Sequence, residues 1–170
     1  MGTMGVGKTT VSRLIAKELK LHLVLENFGE NAFLPRFYKD MSRWAFHSQA
    51  FYLLEKIKQM METEKTLRKK SVVQDTPIYQ DVNSYAKAQY VLGNIDDDEW
   101  KLYRKIYFSY EKYLPVPDLI IFLNAPVDVY RERIRKRGYD ASPRCLNILA
   151  KLYEDEPVFP EKGEGDGNAS

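Results

Sequence analysis

Cysteine is almost absent: Cys145 is the single one among 170 residues, so no disulfide can form within the chain. A lone thiol fits a reducing compartment. Long apolar runs are also lacking. The longest, such as 119–123, fall far below the ~20 residues of a membrane-spanning helix, and no apolar presequence follows Met1. The chain therefore reads as soluble and cytoplasmic, with no membrane partner. Nor is there an excess of either charge. Twenty-six Lys and Arg against 24 Asp and Glu leave +2, too weak a field for a protein that grips a nucleic-acid polymer by its phosphates. Internal repeats and global low complexity are absent. What remains is ordinary globular usage, 44% hydrophobic and 29% charged residues, in a length that suits one domain of about 150 residues.

Helical and strand patterns alternate along the chain. Thr9 and Thr10 lead into Val11, Leu14, Ile15 and Leu19 at helical spacing, and 21–25 reads as a buried strand. A loop over 27–36 precedes a long amphipathic helix, 42–68, closed by Lys69 and Lys70. A second strand, 71–74, leads through Pro77 to a helix over 82–92. The acidic run Asp96–Glu99 suits the positive end of the next helix, which Pro115 and Pro117 stop. Segment 119–123 reads as a strand apolar on both faces, and Pro126 opens a helix to about residue 137. Such alternation predicts α/β architecture. From Pro157 the composition turns to Glu, Gly and Lys, so the expected organisation is a domain over 1–156 and a disordered tail over 157–170.

The sharpest motif opens the chain. Gly2, Gly7, Lys8 and Thr9 satisfy G-x-x-x-x-G-K-[ST], with Gly5 and Val6 between them and Thr10 after. Its glycines let successive backbone N–H groups turn inward around phosphate oxygens. Lys8 would reach the β and γ phosphates, Thr9 would offer a hydroxyl to Mg²⁺, and the following helix would present its positive end. The motif calls for a strand just before the glycines. Only Met1 stands there, so the central strand of the expected sheet is missing from this sequence.

Ligands of open α/β sheets bind beyond the carboxyl ends of the strands. Glu26 directly follows the first predicted strand and Asp75 the second. Standing alone, each would be read as a solvated carboxylate. Beside a phosphate loop, Glu26 becomes the candidate base for a substrate hydroxyl and Asp75 the candidate Mg²⁺ partner, since phosphoryl transfer needs little more from a protein than electrostatic clamps, a metal and a group that orients the nucleophile.

Segments 5–10, 31–38, 43–49 and 72–81, continued by 118–126, Arg133 and Arg137, resemble the deoxynucleoside kinases, especially bacterial members. The resemblance spans about residues 2–154. It implies a parallel five-stranded sheet flanked by helices, a homodimer, and transfer of the γ-phosphate of ATP, with Mg²⁺, to the 5′-hydroxyl of a deoxyribonucleoside in nucleotide salvage. By position, Glu26 matches the family's base, Tyr38 the phenol on the sugar 3′-hydroxyl, and Gln49 the amide that meets the nucleobase edge. Tyr85 stands where an aromatic ring stacks on the base, and Lys56 and Asp81 where a polar pair helps to choose among bases. Arg133 and Arg137, spaced i and i+4, match arginines that stabilise charge on the transferred group. Arg131 and Arg135 then fall on a solvated face.

The chain also departs from that pattern. Many members carry an arginine directly after the acidic residue of the second strand, whereas Thr76 and Pro77 follow Asp75 here. Tyr139 replaces a lid arginine, the lid after Gly138 is short, and nothing past Glu154 resembles the family's last strand. The leading expectation is a deoxynucleoside kinase lacking its first and last strands. The alternatives are a catalytically impaired, regulatory or truncated nucleotide-binding relative, and a nucleoside monophosphate kinase. The last would need extra cations for a substrate phosphate, whereas Tyr38 and Gln49 suit a neutral sugar and base.

Overall fold

The computed structural model describes residues 1–26, 31–136, 147–148 and 151–152. Its elements run α1 (Lys8–Glu18), β1 (His22–Val24), α2 (Leu34–Lys39), α3 (Met41–Leu67), β2 (Val72–Gln74), α4 (Ile78–Gln80), a π-helical turn (Asp81–Ala86), α5 (Lys87–Val91), α6 (Asp97–Glu111) and α7 (Val127–Lys136). The predicted tail and the region of Arg137, Gly138, Tyr139 and Cys145 lie outside the described residues.

β1 and β2 pair in parallel, with His22 opposite Val72 and Val24 opposite Gln74. Hydrogen bonds from His22 N–H to the Ser71 carbonyl and from Asp75 N–H to the Val24 carbonyl extend the ladder at both ends. Parallel pairing brings both carboxyl ends to one edge, which puts Glu26 and Asp75 beside α1. The fold is thus helix-rich α/β with a small parallel sheet, as the P-loop kinase reading requires.

Helix α3 forms the spine. Leu53, Ile57 and Met60 on its inner side pack with Ile78, Tyr79 and Val82, and with Tyr103 and Tyr107 of α6. α6 starts on a capping box: Asp96 accepts from the Asp98 and Glu99 N–H groups, and Glu99 accepts from the Asp96 N–H, satisfying donors that a helix start leaves open. A second cluster joins Phe37, Ala45 and Ile95. A third seats α7 beneath the phosphate loop through Tyr130 and Ile134, packed against Met4.

Three expectations need correction. The loop expected over 27–36 gives way at Leu34 to α2, with Pro35 in its first turn, where a missing N–H costs nothing. The helix expected from Val82 begins at Ile78, right after Pro77, and widens into a π turn at Asp81. Segment 119–123 is not a ladder strand. Among the described residues, Met1 and Gly2 lie beside it: the Met1 ammonium donates to the Ile121 carbonyl, the Leu123 N–H donates to the Met1 carbonyl, and Gly2 approaches the Leu123 carbonyl. Between this segment, α1 and β2 lies a cavity of about 330 Å³. Leu119 is 76% exposed instead of sandwiched between helices.

Candidate active site

The glycine loop is shaped by backbone that side chains would obstruct. Gly7 caps α1 at φ 109°, a region that favours glycine. Gly2, at φ 147°, approaches the Leu123 carbonyl so closely that a Cβ would sit 2.4 Å from its oxygen. From the other side, Arg133 of α7 donates to the carbonyls of Gly5 and Val6 at 3.2 and 3.1 Å. These bonds occupy two of the loop's carbonyls, while the Val6 N–H donates to the Thr3 carbonyl.

Lys8 folds back over this loop. Its Nζ donates to the Gly2 and Thr3 carbonyls at 2.9 and 3.1 Å and lies 3.5 Å from the Tyr85 hydroxyl. Burial pulls its pKa below the usual lysine range, a shift that Glu26, Asp75 and Asp81 resist. Gln80, fully buried, ties the same region together: its Oε1 accepts from Gly2 N–H at 3.0 Å, and its Nε2 donates to the Tyr85 hydroxyl at 3.1 Å.

At the strand ends, the Thr9 hydroxyl donates to Asp75 Oδ2 at 2.5 Å, and the Thr76 hydroxyl to Asp75 Oδ1 at 3.1 Å. A buried carboxylate against a hydroxyl is a hard-oxygen pair that fits Mg²⁺. Among the described residues no three His, Cys, Asp or Glu side chains converge on one position; Mg²⁺ carried with nucleotide phosphates needs only one or two protein ligands.

Glu26 lies deeper than a strand-end carboxylate left in water. Lys56 of α3 reaches its Oε1 at 2.5 Å and stands 4.0 Å from Asp81 Oδ2. The Lys56 ammonium also donates to the Thr76 carbonyl at 2.5 Å. Glu26 is pushed up to about 8, first by burial and then by Asp81, with Lys56 and Lys8 pulling the other way. Burial raises Asp81 as well, against the same two lysines.

The structure therefore links Lys8 with Gly2 and Tyr85, Thr9 with Asp75, Lys56 with Glu26 and Asp81, and Arg133 with Gly5 and Val6, with Gly7 capping α1 beside them. Thr10 points outward from α1 and is exposed. Gln49 lies on the buried side of α3 with Lys56, whereas Tyr38 on α2 is 47% exposed. Arg137 lies outside the described residues. Arg131, expected on a solvated face, is half-buried with its Nε shut off from solvent, because α7 turns that flank toward the molecule.

Sequence reasoning missed Gln80, Asn31 and Tyr52. Gln80 and Asn31 carry no pattern of their own. Tyr52 had a signal, since positions 49, 52 and 56 share one face at helical spacing. Its hydroxyl bonds with Asn31 and is pushed up to about 12, chiefly by burial, with Tyr38, Glu26 and Asp81 close enough to add to the shift. Asn31 in turn donates to Ser48 and accepts from the Phe33 N–H.

The deoxynucleoside kinase family model matches residues 1–155. The chain is 34% identical over 141 residues to a deoxyadenosine/deoxycytidine kinase of Bacillus subtilis, covering 81% of this chain and 63% of that protein. To a deoxyguanosine kinase of the same organism it is 28% identical, covering 92% and 74%. Among solved structures, the deoxyadenosine kinase of M. mycoides with bound dCTP superposes with a TM-score of 0.78 at 26% identity, over 91% of this chain and 79% of that one. The same enzyme with bound dATP gives 0.77 at 27% identity, covering 91% and 80%.

Proposed function

The chain belongs to the deoxynucleoside kinase family, and on that premise we propose that it transfers the γ-phosphate of ATP, with Mg²⁺, to the 5′-hydroxyl of a deoxyribonucleoside in nucleotide salvage. The observation that carries the proposal is the convergence of Glu26, Lys8 and the Thr9–Asp75 pair at the carboxyl ends of two parallel strands.

In this reading the loop N–H groups and Lys8 hold the phosphates. Lys8 exchanges its present carbonyl partners for phosphate oxygens. Glu26 takes the proton of the 5′-hydroxyl as that oxygen bonds to the γ-phosphorus, and the bond to the bridging oxygen breaks to release ADP. Thr9 and Asp75 would hold Mg²⁺, which would supply positive charge against the phosphates. Arg133 keeps the loop in shape through Gly5 and Val6, and Arg137 would add positive charge near the lid. Tyr38 meets the sugar 3′-hydroxyl, Gln49 and Asp81 face the nucleobase, and Tyr85 stacks on it.

No helix among the described residues is long and apolar enough to cross a membrane. Exposed Leu102, Phe108 and Tyr113 on and just after α6 support a homodimer, and a role in nucleotide salvage suits a cytoplasmic protein. Incubation with ATP labelled at the γ-phosphate and a panel of deoxynucleosides should give labelled 5′-monophosphates, and Lys8→Ala should give none. Label released only as inorganic phosphate, or transferred equally by Lys8→Ala, would overturn the proposal.

A further inference from the structure

The turn after β2 is built oddly for its residues. Thr76 is β-branched, yet its φ is +52°, a region such residues rarely enter. Strain of this kind persists only where the surroundings enforce it. What the turn achieves is visible: the Thr76 carbonyl points inward onto the Lys56 ammonium at 2.5 Å. Lys56 is 2% exposed, and a lysine so buried is tolerated only when paired.

Its ionic partners are unequal. Glu26 Oε1 lies at 2.5 Å and Asp81 Oδ2 at 4.0 Å. Both carboxylate oxygens are shut off from solvent, and neither accepts an aligned hydrogen bond, so the ammonium is what compensates them. Helix α3 thus brings a cation to the end of β2, where Thr76 offers only its carbonyl.

We propose that Lys56 is the positioning residue of Glu26: anchored on the Thr76 carbonyl, its ammonium fixes the carboxylate in place and favours its ionised form, while Asp81 competes for the same cation. The proposal rests on the reading of Glu26 as the base. Among the described residues, the charged and titratable groups facing Glu26 are Lys56 from α3, Lys8 from the phosphate loop, Asp81 from the π turn and the Tyr52 phenol. Lys56 is the nearest of the two cations and the one held by a backbone carbonyl of the strand-end turn. Removing it leaves Glu26 buried beside Asp81 with Lys8 as the one opposing cation among the described residues, and an opposite charge at this range moves a carboxylate by about 1–3 pH units.

The test titrates the Glu26 side-chain carbon by ¹³C NMR in the full, ligand-free chain, the resonance being assigned by its loss in Glu26→Gln. Lys56→Gln should raise the Glu26 midpoint by about 1–3 pH units, and Lys56→Arg should keep it near the wild-type value. A midpoint unmoved by Lys56→Gln would overturn the proposal. Where Lys56→Gln does not fold, the wild-type chain decides: the Lys56 ¹⁵Nζ resonance should move with the same midpoint as the Glu26 carbon, and unrelated midpoints would overturn the proposal. None of these readings needs turnover, so failure of the kinase reading in the labelled-ATP assay would be recognised separately.

Discussion

On the helical side of the site, α3, the turns after β2 and α6 close over side chains that solvent does not reach: Leu53, Ile78 and Tyr103 are each 0% exposed. On the sheet side, Ile121 is 44% exposed and a cavity of about 330 Å³ separates its segment from β2. In the proposed reaction the two sides also hold different halves of the chemistry. Lys56, Asp81 and Gln49 sit on the dense side, whereas the phosphate loop hangs between α1 and α7 on the thin side, tied across the gap by Gln80 and Arg133. Precise placement of a carboxylate needs a rigid surround. A loop that must wrap and release phosphates can be held by a few hydrogen bonds.

This contrast can be broken most sharply at Glu26. Glu26→Gln keeps the shape of the side chain and removes its basicity, so kcat should fall by ~10²–10⁴ with little change in nucleoside affinity. A comparable loss of affinity would mean that Glu26 belongs to binding instead. Stability offers a second, smaller contrast. Leu53→Ala on the dense side should cost about 2–5 kcal/mol by chemical denaturation. Ile121→Ala on the thin side should stay within about 0.5 kcal/mol. Equal costs would show that 119–123 is packed in solution and that the two sides do not differ.

Much of the helical side was legible in the sequence. Apolar spacing over 42–68 and the acidic run at 96–99 carry their own geometry, since helix faces and caps depend on residues three or four apart. The phosphate loop was legible for a similar reason, and Glu26 and Asp75 followed from where the strands end. Segment 119–123 was misjudged because a strand exists only with a neighbour to bond, and its apolar residues say nothing about whether one is present. The π turn escaped because one extra residue per turn leaves the apolar pattern of Ile78, Val82 and Ala86 intact. The pairing of Lys56 with Glu26 was hidden more deeply. Thirty residues separate them in the chain, and resemblance placed Lys56 with Asp81, whereas its ammonium, held by the Thr76 carbonyl, lies closer to Glu26.

The pH profile of nucleoside phosphorylation tests the joining of these two sides most directly. Glu26 must be ionised to accept a proton, and burial together with Asp81 holds its pKa well above the usual carboxylate range, at about 8. As pH rises through that range the ionised fraction grows, so kcat/KM of the wild-type chain should climb between about pH 6 and pH 9, and the climb should vanish in Glu26→Gln. A wild-type profile already flat from pH 5 upward would contradict the account, because the base would then be an ordinary solvated carboxylate or another group altogether.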